Sequence, residues 1–578
     1  MYVQTFDPMN NMALSGLLAV VPIIFFFLTL VVFKIKGYVA GLWTVVVAIV
    51  IAVAAYGMPI SMAVVSAIHG GIYGLFPIGW IVIGAVFLYN ITVETGQFEI
   101  IKKSIASITN DRRLQVLLIS FSFGAFLEGA AGFGTPVAIT AAMLIGLGFK
   151  ARNAACLCLL ANTAPVAFGG LGIPVLVAAQ VTGIDGDAIA KMLAYVLPVI
   201  GIIIPFYLVL VMSGVKGCLE LLPAILVCGI SFSSVMFVTC YYLGPVLPDI
   251  TASLASIVCL VLFLKVWQPS HVWRYADDAP ITEEKEVLTV HQIVRAWSPF
   301  IVLIILVADW GVKAVQALLS AVTVTIPVPV INKAIESGLT HQPLTQLFAF
   351  NWLSAAGTSI VITAIVSILL LGMPIARGGA LFLETLNNLK FSLLTISAVL
   401  AYAYVGNNSG MTTTMGYAVA ATGSLFPLFS AIVGWLGVFV TGSDTSANAL
   451  FGKLQTTAFE RIGSFPILGI GANLAGGGVG KMISPQSIAI AAAATGLVGK
   501  EGELYKFSMK HSVILLAIIC VYIYMMAGPL SSFVPHDVGG VAAVATAAAS
   551  TLYGEGISFI VGTLVLLGIF GKMIQTKR

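Results

Sequence analysis

The stretch that decides the fold is Leu127-Glu128-Gly129-Ala130-Ala131-Gly132-Phe133-Gly134-Thr135-Pro136, read together with Thr441-Gly442-Ser443-Asp444-Thr445-Ser446-Ala447-Asn448. Each is a glycine-bearing polar tip set between two apolar arms, within the breaker-rich segments 114–148 and 425–452. Lipid cannot satisfy the backbone groups that such breakers free, so this backbone is tolerated at membrane depth only inside protein or beside a water-filled cavity. The spacing predicts a pair of re-entrant hairpins that enter the membrane, turn and leave on the same side. The start of each second arm exposes N–H groups and the positive end of a helix dipole, which suit a carboxylate. Ser, Thr and Asn at the tips add neutral donors.

A second pair lies downstream of each hairpin. Asn162-Thr163-Ala164-Pro165 runs on to Gly169-Gly170-Leu171-Gly172-Ile173-Pro174, within 153–183. Asn473-Leu474-Ala475 runs through Gly476-Gly477-Gly478-Val479-Gly480-Lys481 to Ser484-Pro485-Gln486-Ser487, within 464–498. Both read as helices interrupted mid-membrane by glycine and restarted at proline. The alternative is a glycine-rich packing face between helices. Four such segments in related positions favour a binding site.

The surrounding composition fixes the medium. Of 578 residues, 59% are hydrophobic and only 9% charged, against roughly a quarter charged in soluble domains. That excludes a soluble enzyme, a nucleic-acid-binding protein and a disordered scaffold. Lys and Arg number 27 against 23 Asp and Glu, a formal +4 too small to imply a polyanionic partner. Apolar runs of spanning length fall near 14–33, 38–57, 75–93, 188–212, 219–243, 246–266, 298–309, 347–371, 391–406, 511–528 and 557–571. With the broken segments they predict an all-α polytopic membrane protein of about 12–15 membrane segments. The one clearly polar stretch, 268–295, reads as a surface linker. The polar Met1–Met12 segment lacks a basic n-region and is not expected to be removed as a signal peptide. Lys34 and Lys36 after the first span, with Lys572, Lys577 and Arg578 at the end, place the N-terminus outside and the C-terminus in the cytoplasm.

The chain also carries a hidden duplication. Met58-Pro59-Ile60 recurs as Met373-Pro374-Ile375 at a shift of 315, and Gly96 as Gly410 at 314. Gly124, Phe126 and Gly129 match Gly437, Phe439 and Gly442 at 313; Ala161-Asn162 and Pro174 match Ala472-Asn473 and Pro485 at 311. Thr182-Gly183 returns as Thr495-Gly496 at 313. The expected organisation is a first repeat over 1–212, connecting helices and the polar linker over 213–297, a second repeat over 298–528, and a C-terminal loop with a final helix over 529–578. Duplicated halves with paired broken helices mark secondary transporters, whose site lies near the midplane where the discontinuous helices meet. That architecture usually requires the repeats to be inverted.

Charges inside the apolar segments narrow the candidates. A charged residue at a helix centre costs about 2.5–3.5 kcal/mol and is rarely idle. Glu128 and Asp444 lie at or beside the two hairpin tips and are the candidate proton carriers; the alternative is a structural partner for a nearby Lys or Arg. Lys481 is a candidate partner for a substrate carboxylate, or a loop lysine reaching water. Around them, Gly132, Gly134, Thr135, Asn162, Thr163, Ser443, Thr445, Ser446, Asn473, Ser484 and Gln486 supply donors or close backbone approach. Arg377 reads as a membrane-end residue, Lys453, Glu460 and Arg461 as a structural cluster, and His69 and Glu384 as interfacial packing.

Other chemistries fail on spacing. Gly480-Lys481 resembles the end of a phosphate-binding loop, but the required first Gly is Ala475 and Met482 stands where Ser or Thr must hold magnesium. Neither H-E-x-x-H nor G-x-S-x-G occurs. Cys156 and Cys158 form a lone C-x-C without a second pair, and the six His show no ligand spacing, so no metal or cofactor is expected. No soluble domain is large enough for an ATPase, and energy must come from an ion gradient.

At these residues the chain resembles the bacterial lactate permease family along nearly its whole length. The resemblance rests on Glu128-Gly129-Ala130-Ala131-Gly132-Phe133-Gly134, Asn162-Thr163-Ala164-Pro165-Val166-Ala167-Phe168-Gly169, Gly442-Ser443-Asp444-Thr445-Ser446-Ala447-Asn448-Ala449-Leu450-Phe451-Gly452 and Lys481-Met482-Ile483-Ser484-Pro485-Gln486. Ser487 stands where the family motif has Asn. The resemblance implies uptake of L-lactate, D-lactate or glycolate with a proton across a bacterial inner membrane. It also implies inverted repeats and an elevator-like transport domain. A 2-hydroxy monocarboxylate fits the residue reading, since two facing helix N-termini and Ser, Thr and Asn side chains can hold a carboxylate and a hydroxyl. A sodium-coupled carboxylate carrier and an anion channel remain open as alternatives, and a homodimer is compatible with the reading.

Overall fold

The computed structural model describes residues 1–132, 135–275 and 288–535. The expected final span 557–571, the basic C-terminus and the middle of the polar linker lie outside the described residues. Among the described residues, ten helices are long and apolar enough to cross a membrane, and one bent pair adds an eleventh. The helix Gly186–Tyr242 has 57 residues, about 85 Å at 1.5 Å per residue, far more than one bilayer. It breaks at Gly214 (φ 68°, ψ −171°) and doubles back. Ser233 Oγ donates to Pro198 O at 2.8 Å across the two arms. The two spans read at 188–212 and 219–243 are these arms.

Two expected spans change shape. The run read as 75–93 is the second part of a 35-residue helical segment, Ile60–Glu94, bent where Phe76 is extended (φ −144°, ψ 126°). Its first part escaped hydropathy because Ser61, Ser66, His69, Gly70 and Gly71 interrupt the apolar pattern. The run read as 347–371 is helical only over Ala356–Leu371. Its beginning, Leu347–Phe350, pairs antiparallel with Val324–Pro327, where the β-branched Val-Thr-Val-Thr-Ile run prefers extended backbone. A second two-stranded sheet pairs Tyr2–Val3 with Ile335–Glu336. From it the Tyr2 hydroxyl donates to Tyr56 O at 3.1 Å and Ser409 O at 2.9 Å, tying the N-terminal segment to the ends of two helices.

The order of elements recurs along the chain. Ile60–Glu94 and Ile375–Ser409 each have 35 residues, and each follows a proline, Pro59 and Pro374. Gln97–Ala106 and Met411–Ala420 each have 10. Left-handed glycines fall at matched joints: Gly96 (φ 71°) and Gly410 (φ 95°), Gly183 (φ 77°) and Gly496 (φ 69°). After these come Arg112–Ala130 with Thr135–Gly146 in one half. Phe426–Thr441 with Asp444–Arg461 take the same place in the other.

The helix Asp444–Arg461 is polar in sequence yet buried along most of its length. A ladder of side-chain hydrogen bonds makes that burial possible, because buried polar groups must find partners. Asn448 Nδ2 donates to Asp444 O at 2.8 Å, and Asn473 Nδ2 donates to Asn448 Oδ1 at 2.9 Å. Gln455 Nε2 donates to Ser430 O at 2.7 Å and to Asn473 Oδ1 at 3.3 Å. The ladder fixes the second hairpin to the helix Pro466–Lys481.

Candidate functional site

A cavity of about 870 Å³ opens where the hairpins and broken helices converge. One side is built from Glu128, Gly132, Gly169, Gly170, Pro174, Thr441 to Ser446, Lys481 and Gln486. The opposite side is Lys34, Lys36, Tyr38, Phe391, Ser392 and Thr395, with Tyr38 and Phe391 stacked at 4.7 Å.

The second hairpin supplies the tip. Gly442 turns the chain in the left-handed region (φ 71°). Ser443 caps the following helix, its Oγ accepting from Ser446 N at 3.3 Å. Thr441 Oγ1 donates to Gly437 O at 2.7 Å and to Ser443 O at 2.9 Å, holding the turn. Ser443, Thr445 and Ser446 therefore present a helix N-terminus to the cavity. A second N-terminus, that of Pro485–Thr495, carries Pro485 and Gln486 into the lining. Its cap is Ser484, which accepts from Ser487 N at 3.2 Å and donates to Ser487 Oγ at 2.9 Å. Ser487 thus belongs to a buried cap outside the cavity lining.

The broken helix of the first half matches its reading. Ala151–Ala161 and Val166–Thr182 meet at 68°, and Gly170, Leu171 and Gly172 all take positive φ (55°, 63° and 77°) before the helix resumes. For Leu171 that conformation costs about 1–2 kcal/mol, and it is fully buried. The second half differs. Its helix runs unbroken through the glycines from Pro466 to Lys481, and the break comes at 482–484. The glycines are instead a packing face. A Cβ on Gly476 would collide with the Ala431 backbone, one on Gly480 with Trp435 O, and one on Gly478 would lie 3.0 Å from Thr163 O. Gly477 leaves room for the Asp444 carboxylate.

Three charged side chains meet at the cavity and are nearly withdrawn from water. Glu128, Asp444 and Lys481 are 4%, 3% and 7% exposed. Lys481 Nζ donates to Gly442 O at 2.6 Å and interacts with the charge of both carboxylates. Neither Asp444 oxygen has a hydrogen-bond partner, nor does Glu128 Oε2. The lysine of one broken helix thus serves carboxylates from the hairpins of both halves.

Of the sequence candidates, Gly132, Ser443, Thr445, Ser446, Lys481, Gln486, Glu128 and Asp444 line this cavity. Asn162 lies beside Glu128 and is buried. Thr163 is buried and donates to Leu160 O. Asn473 belongs to the polar ladder and Ser484 to the cap described above. Thr135 is half-buried at its helix start, and Gly134 lies outside the described residues. Away from the cavity, Arg377 joins Glu94 at 2.8 Å and Glu384 at 2.6 Å. His69 sits among the rings of Tyr73, Phe348 and Tyr404. Arg461 stacks over Tyr417 at 4.9 Å.

Sequence reasoning missed the opposite wall. Lys34 and Lys36 had served only as topology signals, and Ser392 and Thr395 lay inside an ordinary apolar run. It also missed Asp249, a buried carboxylate in the span 246–266. The rule that singled out Glu128, that a charge inside a spanning segment is rarely idle, would have found it.

The L-lactate permease family model matches residues 15–528. The glycolate permease GlcA of Escherichia coli strain K12 is 50% identical over 551 residues, covering 91% of this chain and 98% of that protein. The L-lactate permeases of Salmonella typhimurium strain LT2 and Bacillus subtilis strain 168 are 48% and 46% identical, each covering 92% of this chain and 99% and 100% of their own lengths. These are permeases rather than enzymes, and with a family match over nearly the whole length and such identity, this chain is a member of the L-lactate permease family.

Proposed function

We propose that the protein imports L-lactate, and also D-lactate and glycolate, with a proton across the inner membrane of a bacterium. The observation that carries this reading is the buried cation Lys481, set between Glu128 and Asp444 at a cavity rimmed by two helix N-termini. The substrate carboxylate docks on Lys481 and the N–H groups at Ser443–Ser446. The 2-hydroxyl is held by Thr445 or Gln486. Arrival of the anion adds one negative charge beside the buried Lys481 and two buried carboxylates. One proton on Asp444 or Glu128 offsets it, and the loaded cavity keeps its net charge. That constancy is what couples the two fluxes, because an extra uncompensated charge costs several kcal/mol in a poorly solvated site.

The relatives' names support the substrate class. The recurring elements support two inverted repeats, and the two walls of the cavity support an elevator. In it the hairpins and broken helices slide with the substrate against the wall of Lys34–Tyr38 and Phe391–Thr395. Contacts across that division are both polar, such as Asn407 Nδ2 donating to Val181 O at 2.9 Å, and apolar, such as the rings of Phe27 and Phe451 at 6.3 Å.

The test is uptake of radiolabelled L-lactate into proteoliposomes with an inward proton gradient, with sodium present or absent. Uphill uptake that ignores sodium and collapses with a protonophore is expected. Accumulation that follows the sodium gradient instead would turn the carboxylates into a cation site, and absence of saturable lactate uptake would end the substrate reading. In the same vesicles Asp444→Asn is expected to lose concentrative uptake, its internal-to-external lactate ratio falling to about one, because a permanently neutral side chain no longer exchanges a proton. An Asp444→Asn variant that still concentrates lactate would pass the coupling role to Glu128.

A further inference from the structure

Asp249 is the third carboxylate of this region, and it lies outside both hairpins. It stands in the first turn of the helix Pro248–Val266 and is 1% exposed. An acidic residue at that position normally caps the helix by accepting backbone N–H groups. Here neither carboxylate oxygen has a hydrogen-bond partner, so capping does not account for it. Its neighbourhood is built for close approach to the first hairpin. A Cβ on Gly129 would lie 2.7 Å from the Asp249 Cβ and 3.2 Å from Ile250 N, so glycine at 129 lets the two helices touch one residue along from Glu128. Glu128 is the charged group that acts on Asp249 from the hairpin, and Cys240 faces it from the preceding helix. The helix Gly169–Thr182, which also packs there, carries no titratable side chain.

We infer that Asp249 is a second proton site that exchanges a proton with Glu128 and carries it away from the substrate cavity, which Asp249 does not line. In the step, the O–H bond on Glu128 breaks and one forms on Asp249. The pair holds one proton and one negative charge before and after, so no further ion is needed. Two carboxyl groups sharing one proton avoid the cost of two adjacent buried negative charges. The proton then sits on a group outside the cavity that holds the lactate. This inference rests on the proton-symport reading above.

The test uses the full-length protein in proteoliposomes, as wild type and as two variants, Asp249→Asn and Asp249→Glu. Lactate counterflow without a gradient is read alongside lactate-driven acidification of the lumen, followed with a trapped pH dye. Asp249→Asn is expected to cut acidification at least tenfold while counterflow falls less than threefold, and Asp249→Glu to restore at least a third of the acidification. Acidification per lactate equal to wild type in Asp249→Asn would overturn the inference. So would loss of counterflow and acidification together in both variants, which assigns Asp249 a packing role. Wild-type vesicles that take up lactate without acidification would overturn the symport reading itself, whatever the variants do.

Discussion

Replacing Lys481 by alanine is expected to lower the initial rate of lactate uptake at least 100-fold. Three consequences add in one direction. The substrate carboxylate loses its cation. The Gly442 carbonyl loses its donor, a 2.6 Å charge-assisted hydrogen bond at the hairpin turn. Glu128 and Asp444 are left facing each other without the one positive charge that acts on both. Removing one partner from a buried ionic group costs about 3–5 kcal/mol, and each 1.4 kcal/mol is a factor of ten, so roughly two to three and a half decades are expected. Arginine should not substitute, because a planar guanidinium cannot replace a compact ammonium at the Gly442 carbonyl; Lys481→Arg is expected to keep less than about a tenth of the activity. The measurement is uptake in proteoliposomes reconstituted from variants that elute as monodisperse peaks in detergent. Adding Asp444→Asn to Lys481→Ala should recover protein yield by removing one unpaired charge, without recovering uptake. Uptake by Lys481→Ala within tenfold of wild type would remove the lysine from the site.

How much of this was legible in the sequence follows from what each residue does. The hairpin tip at Gly442-Ser443-Asp444 was readable because a turn glycine, an N-cap serine and a charge in an apolar setting each announce themselves locally. The break at Gly170–Gly172 was readable for the same reason. The glycines at 476–480 misled, because a glycine that frees the backbone and one that admits a neighbouring backbone look identical until the neighbour is known. Ala431, Trp435 and Thr163 are that neighbour, 45 to 315 positions away in sequence. Asn473 misled similarly: its partners Asn448 and Gln455 come from another helix, and an amide with both ends engaged is structural. The second wall of the cavity was invisible because Tyr38, Ser392 and Thr395 acquire meaning only through the fold. Periodicity and hydropathy found the arms of Gly186–Tyr242 and missed 60–73, where polar and small residues face protein rather than lipid.

Gly476→Val is expected to be the most damaging small substitution outside the cavity. The helices Phe426–Thr441 and Pro466–Lys481 cross with almost no side-chain layer between them. Gly434 faces the Asn473 backbone on one side of the crossing, and Gly476 faces the Ala431 backbone on the other. In each case the atoms that a Cβ would meet are main-chain atoms of a buried helix, which cannot swing aside as a long side chain does. Valine adds a branched side chain, so the helices must separate, and the ladder of Asn448, Gln455 and Asn473 that spans the crossing separates with them. Overpacking of this kind costs about 3 kcal/mol or more, and each ladder bond lost adds roughly 1 kcal/mol. The apparent melting temperature in detergent should fall by roughly 3–5 °C, with uptake lost in proportion to the misplacement of Asp444, whose carboxylate lies against Gly477. The matched control is Gly379→Ala, where a Cβ meets nothing within 4 Å. That substitution removes backbone freedom from a helix interior and should leave the melting temperature unchanged or raise it slightly, by up to about 1 kcal/mol of stability. Equal melting temperatures for the two variants would show that the crossing tolerates a side chain and that the glycines at 476–480 are there for something other than contact.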